Sequence, residues 1–173
     1  AHGLNPAQWE SLRFLNRANR YSRSPTTLAE YLGTTKGTAS QTLRALEDKG
    51  YIQRCRDCAD RRGVSLDLTE EGRALLKLDP MQDLAKAVAG LSAPCSERLA
   101  EGLSQLLGHM RNRCGKSEFG VCGRCSHLVT PGSEESNRCG LTGDTLGADE
   151  CKQLCVNFNS SDVEERKSRV PTV

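Results

Sequence analysis

The run from Thr35 through Lys36, Gly37, Thr38, Ala39, Ser40, Gln41, Thr42, Leu43, Arg44, Ala45 and Leu46 to Gly50 constrains this chain's fold more than any other stretch. Ala39, Leu43 and Leu46 recur at helical spacing and form one narrow apolar stripe. Gly37, Ser40, Gln41 and Arg44 fall on the opposite side. The outward face is therefore small and polar where the helix begins, and carries an amide and a guanidinium further on. Thr34 or Thr35 is placed to cap this helix and Gly50 to end it. Upstream, Pro25 to Gly33 spells a shorter helix that stops at a glycine, and two helices joined by so tight a turn must cross steeply.

The sequel selects among helix pairs. Tyr51-Ile52-Gln53-Arg54 leads to a charged tip, and Val64-Ser65-Leu66-Asp67-Leu68 returns with the alternation of a strand. A two-stranded wing built this way presents Arg54, Arg56, Arg61 and Arg62 beside the long helix, a cluster suited to phosphates and a narrow minor groove. A helix with small polar residues at its start, an amide and a guanidinium is equipped to reach base edges. The fold class expected is mainly α with a small β-wing: a winged helix-turn-helix, then C-terminal dimerisation helices, then a loop-rich, cysteine-ligated metal segment.

In the Leu46-Glu47-Asp48-Lys49-Gly50 helix ending, the wing triplet Asp60-Arg61-Arg62 and the following Leu68-Thr69-Glu70-Glu71-Gly72, the chain resembles the MarR family of winged-helix regulators. The resemblance covers about the first two thirds of the chain. It implies a wing aspartate that orients an arginine two positions later into the minor groove, roles that map onto Asp60 and Arg62. It further implies a homodimer, a palindromic double-stranded DNA operator as partner, and repression as the output. The expected DNA-contacting set is Thr35, Lys36, Gly37, Thr38, Ser40, Gln41, Arg44, Asp60, Arg61 and Arg62. Relatives of this kind usually open with a long helix that shares in the dimer interface. Only Ala1 to Leu4 precede the first helix here, so dimerisation is expected to depend on the C-terminal elements.

Charge distribution agrees with that assignment. Residues 1–62 hold 11 Lys/Arg against 6 Asp/Glu, and the remainder 13 against 16, so the basic part is the part with the helix-turn-helix. Aromatic residues are 4% of the 173, which leaves a core of Leu and Ala as in helical proteins. No apolar run approaches the roughly 20 residues of a membrane span and no signal-peptide pattern opens the chain, so a cytoplasmic protein is expected. No Cys-His or Ser-His-Asp arrangement and no phosphate loop is legible, and the chain reads as a non-enzyme.

Asn5-Pro6 opens a first helix with Trp9, Leu12 and Leu15 on one face, expected to pack on the helix-turn-helix, with Trp9 as a core anchor. Thr69 caps a helix through Leu76, and Asp79-Pro80 punctuates it. Beyond lie Met81 to Leu91 and a second pattern with Leu99, Leu103, Leu106, Leu107 and Met110 on one face, too apolar to be left in solvent. The boundaries read as 1–78 for the DNA-binding domain, 79–113 for the dimerisation helices, 114–158 for the cysteine-rich segment and 159–173 for a polar flexible tail.

From Cys114 the composition turns to Gly, Ser and Cys, which cannot bury enough apolar surface to hold one shape unaided. Nine cysteines, an odd number without an export signal, fit metal ligation or thiol sensing better than disulfides. Cys122 and Cys125 enclose two residues, and Cys139 and Cys155 follow singly after gaps of 13 and 15. This differs from the paired knuckles of a zinc ribbon. It is similar in spacing and glycine placement to high-potential iron-sulfur proteins, which implies a 4Fe-4S cluster on Cys122, Cys125, Cys139 and Cys155. The alternative is a structural Zn2+ on the same four thiolates. Cys151 is an alternative to Cys155, Cys114 and His127 are reserves, and Cys95 reads as a small buried residue.

Cys55 and Cys58, set among the wing arginines, are candidate redox thiols, since nearby cations lower a thiol's pKa. The expected function is a dimeric, sequence-specific repressor whose cluster senses redox state, iron or nitric oxide. Its tail, following the dimer helices, is expected to act on the spacing of the two recognition helices. The alternative is a regulator with structural zinc, switched by the wing thiols or by a small ligand.

Overall fold

The computed structural model describes residues 3–56, 64–114, 118–130 and 136–160, without the side chains at 56, 108 and 111–114. The wing tip with Cys58, Asp60, Arg61 and Arg62 lies outside the described residues, as does the Cys114 side chain.

Helix α1 (Pro6–Arg17) starts on a reciprocal cap: Asn5 Oδ1 accepts from the Gln8 amide at 2.9 Å, and Gln8 Oε1 accepts from the Asn5 amide at 3.1 Å. Ser24 caps α2 (Pro25–Leu32), which ends at Gly33 with φ 62°, a left-handed conformation that lets the chain turn within three residues into α3. Of the two threonines placed to cap α3 (Lys36–Asp48), Thr35 does so, its hydroxyl accepting from the Thr38 amide. Strands β1 (Ile52–Arg56) and β2 (Val64–Leu68) pair antiparallel, Ile52 opposite Leu68 and Arg56 opposite Val64. In β2, Leu66 and Leu68 point into the core while Val64 is exposed.

Leu12, Phe14 and Leu15 of α1, Leu28 of α2, Leu43 and Leu46 of α3, Leu66 and Leu68 of β2, and Leu75 and Leu76 of α4 (Glu70–Leu76) make one buried cluster, with Trp9 inside it. Gly72 allows α4 to close on the wing root, because a Cβ there would lie 2.1 Å from the Tyr51 carbonyl oxygen. Arg13 reaches from α1 to Asp79 with two hydrogen bonds of 2.7 and 2.6 Å, and Asp79 also accepts from the Met81 amide, which fixes where the chain leaves the winged helix.

Two helices follow, α5 (Met81–Ala89) and α6 (Ala93–Cys114). No residue of α5 is buried, and Leu99, Leu103, Leu106, Leu107 and Met110 of α6 are all 41–57% exposed. Cys95, read from the sequence as buried, is exposed, since no described residue packs over α6 at that face.

Residues 118–130 and 136–160 make a small lobe of short strands. β3 (Gly120–Val121) pairs with β6 (Leu154–Cys155), and β4 (Leu128–Val129) pairs with β5 (Arg138–Cys139), both antiparallel. The lobe packs on the winged helix. Phe119 stands edge-on to Phe14 and Tyr31, with centroids 6.0 and 5.4 Å apart. Gly120 lets the chain pass Phe158, whose ring a Cβ would meet at 2.4 Å. Residues 159 and 160 belong to this lobe and not to a tail beginning at 159: the Asn159 amide donates to Cys125 Sγ at 3.4 Å, and Ser160 bridges Cys125.

Candidate functional site

On α3 the stripe Ala39, Leu43 and Leu46 is buried, which turns the opposite face to solvent. Lys36, Gly37, Thr38, Ser40, Gln41 and Arg44 are all exposed, as is Thr35. A Cβ at Gly37 would meet only Thr35 Oγ1, at an ordinary contact distance of 3.8 Å, so internal packing does not require a glycine there. Thr35 and Thr38 spend part of their capacity on the cap, their hydroxyls 2.9 Å apart. Among the described residues, the side-chain donors of this face without a hydrogen-bond partner are those of Lys36, Ser40, Gln41 and Arg44, arranged over a little more than two turns.

The wing is less purely cationic than its sequence implies. Arg54 Nε donates to Glu47 Oε2 at 2.9 Å, joining β1 to the end of α3 and offsetting one charge of the expected cluster. Glu47 lies seven residues away, and no periodicity announces the pair. Cys55 is exposed on β1 opposite Ser65.

The second site is in the lobe. Pairing Gly120 with Cys155 and Leu128 with Cys139 draws four cysteines spread over 34 residues of sequence around one cavity. Cys122, Cys125, Cys139 and Cys155 all line it, together with His127, Leu128, Tyr21 and Asn157. Cys151 does not line it; its sulfur accepts from Asn137 Nδ2 at 3.5 Å. His127 lines the cavity as a reserve donor. Tyr21 and Asn157 were not legible as site residues, since neither belongs to a ligand pattern and Tyr21 arrives from the turn after α1.

Burial pushes the Cys122 thiol up to about 11, and the thiols of Cys151, Cys155, Cys125 and Cys139 add to the shift. Burial also raises Cys155, partly offset by hydrogen bonds from the Asn19 side chain and the Asn157 amide. Cys139 is likewise pushed up by burial, but the Thr142 amide and hydroxyl and the Leu141 amide outweigh this and leave it below its ordinary value. Each sulfur's ionised form thus disfavours its neighbours, while backbone and amide N–H groups are aimed at three of the four. A cationic centre among them would reverse the first effect and use the second.

Four thiols around one cavity are the donor set of either a tetrahedral ion or a four-iron cluster. They surround a cavity, yet among the described residues no three His, Cys, Asp or Glu side chains converge closely enough to hold a single metal ion.

A helix pair with an exposed polar second helix, followed by a two-stranded hairpin and sharing one core with α1 and α4, defines a winged helix-turn-helix protein. Residues 2–63 match the model of the MarR family, and the match ends before the cysteine lobe. Over 75 residues the chain is 35% identical to the transcriptional repressor YetL of Bacillus subtilis, covering 43% of this chain and 45% of that protein. Over 84 residues it is 31% identical to the transcriptional regulator TtmR of Methylorubrum extorquens, covering 48% and 43%. The chain thus spans less than half the length of these two relatives. The structure is similar to Streptococcus pneumoniae FabT in complex with DNA, with a TM-score of 0.51, 27% identity, and coverage of 64% of this chain and 78% of that one. No described helix is long and apolar enough to cross a membrane.

Proposed function

We propose that this protein is a dimeric, sequence-specific DNA-binding repressor whose lobe holds a 4Fe-4S cluster on Cys122, Cys125, Cys139 and Cys155 and so senses redox state, iron or nitric oxide. The carrying observation is that these four thiols, and not Cys151, surround one cavity in a lobe packed directly on the winged helix. The DNA part rests on the exposed polar face of α3 and on the likeness to a regulator solved with DNA.

Dimerisation follows from α6. Its 22 residues run about 33 Å, and among the described residues nothing covers its apolar face. A second copy of the same face covers it symmetrically, and a twofold pair of winged helices suits a palindromic operator.

A bound cluster supplies a centre that oxidants, nitric oxide or iron shortage can dismantle. The chain's own residues do the rest: four sulfurs hold the lobe closed, and the Asn157, Asn159, Thr142 and Leu141 amides orient them. The test is affinity for a duplex that the anaerobically purified protein selects from a random library. Protein with its iron intact and protein stripped by a chelator should differ by about tenfold or more. Equal affinity would remove sensing, and failure to select any duplex would remove DNA binding.

A further inference from the structure

Five consecutive residues of the turn after α1 hold the cysteine lobe. Ala18 forms a parallel bridge with Leu154, and the Asn19 amide donates to the Leu154 carbonyl at 2.9 Å. Arg20 donates to both carboxylate oxygens of Glu150 at 2.7 Å, and Tyr21 donates to Asp144 at 2.6 Å. The Val156 amide donates to Ser22 Oγ at 2.9 Å, and Ser22 Oγ donates to Asn19 Oδ1 at 2.7 Å. Since that oxygen is committed to Ser22, the Asn19 amide nitrogen is the end that faces Cys155 Sγ. Asn19 and Ser22 are 2% and 0% exposed, so both sides of Cys155 are pinned by groups with no water to replace them.

The next two residues hold the DNA-facing elements. The Leu66 amide of β2 donates to the Arg23 carbonyl at 2.8 Å, and Arg23 pairs with Asp67 at 3.2 Å. Ser24 donates its own amide to Ser22 and caps α2. The lobe and the wing root are therefore attached to one seven-residue segment, the lobe at its beginning and the wing and α2 at its end.

We propose that the turn 18–24 transmits the state of the cysteine site to the wing and the helix-turn-helix of the same protomer, with Asn19 as the residue that positions Cys155. This rests on the reading of the four thiols as a cluster site. It replaces the route through the dimer helices expected from chain order, because the lobe folds back onto the first helix and its turn. An element couples two sites only if both bias it, and here the lobe's bonds to residues 18–22 and the bonds of Arg23 and Ser24 share a backbone too short to move independently.

The test is amide hydrogen exchange on the full chain, stripped or reconstituted anaerobically with ferrous iron and sulfide. Reconstitution should slow exchange about tenfold in peptides covering 18–28 and 64–68, with the Leu66 amide included. Asn19→Ala should load the same iron, lose the slowing at 64–68, and move the cluster's midpoint potential down, because one N–H to sulfur is gone. Arg20→Ala, whose side chain is 48% exposed, is bonded to Glu150 and does not line the cavity, should load normally and weaken the slowing at 64–68, so the test survives if Asn19→Ala fails to fold. Iron uptake with slowing confined to 118–160 and 93–114, or slowing at 64–68 that survives both variants, would overturn the inference and leave the cluster reading standing. Wild-type protein that takes up no iron would overturn both.

Discussion

The Ser22 hydroxyl accepts a 2.9 Å hydrogen bond from the Val156 amide, 134 residues further along the chain. Ser22 is fully buried, and its own proton goes to Asn19. Ser22→Ala leaves an amide and a carbonyl without partners where water does not reach. It should cost about 1–3 kcal/mol in urea unfolding. A loss under about 0.5 kcal/mol would mean that the lobe is not bonded to the turn in solution.

Gln41→Ala and Arg44→Ala should narrow the difference in affinity between a selected duplex and a random one by about 1–3 kcal/mol each. Lys36→Ala should weaken both duplexes alike and reduce the salt slope by up to about one unit. Arg62→Ala, at the wing position implied by the family resemblance, should cost about 1–3 kcal/mol without affecting dimerisation. Fluorescence anisotropy across a salt series separates these effects; equal losses on every duplex from all four changes would mean purely electrostatic binding.

The pair Arg13–Asp79 supplies a pH dependence. The Arg13 hydrogen bonds hold the Asp79 carboxyl below the ordinary carboxylate range; burial opposes this, and the Met81 amide assists. A depressed carboxyl contributes stability that is complete above pH about 4 and is lost as pH falls through the folded value. Asp79→Ala should cost about 1–3 kcal/mol near neutrality, less than a fully buried pair because Arg13 is 25% exposed, and should flatten the acid limb of the stability curve. An unchanged acid limb in the variant would assign that limb to other groups.

Leu103→Glu with Leu106→Glu should convert a dimer to a monomer in sedimentation equilibrium and lower operator affinity by about tenfold or more, while the winged-helix core stays folded. A dimer that persists would place the interface elsewhere than on α6.

The winged helix was largely legible because its signals are local. Asn5, Thr35 and Thr69 stand where caps belong, Ala39, Leu43 and Leu46 keep one period, and β2 alternates. The four lobe cysteines stand out in the sequence by their spacing and the glycines around them, and the structure gathers them around a cavity. The docking of the lobe was not legible. Its contacts join Ala18 to Leu154, Arg20 to Glu150 and Ser22 to Val156, through backbone groups and single polar side chains that leave no period in sequence. Likewise Glu47 and Arg54 sit in different elements, and only the fold of the wing brings them together.

The most direct measurement is the iron, acid-labile sulfide and zinc content of the full chain purified without oxygen, alongside its visible absorption. The account predicts a brown protein with about four iron and four sulfide per chain, lost in Cys122→Ser, Cys125→Ser, Cys139→Ser and Cys155→Ser and kept in Cys151→Ser, Cys55→Ser and Cys58→Ser. A colourless protein carrying about one zinc and no iron, lost in the same four variants, would contradict the cluster and leave a structural metal in its place.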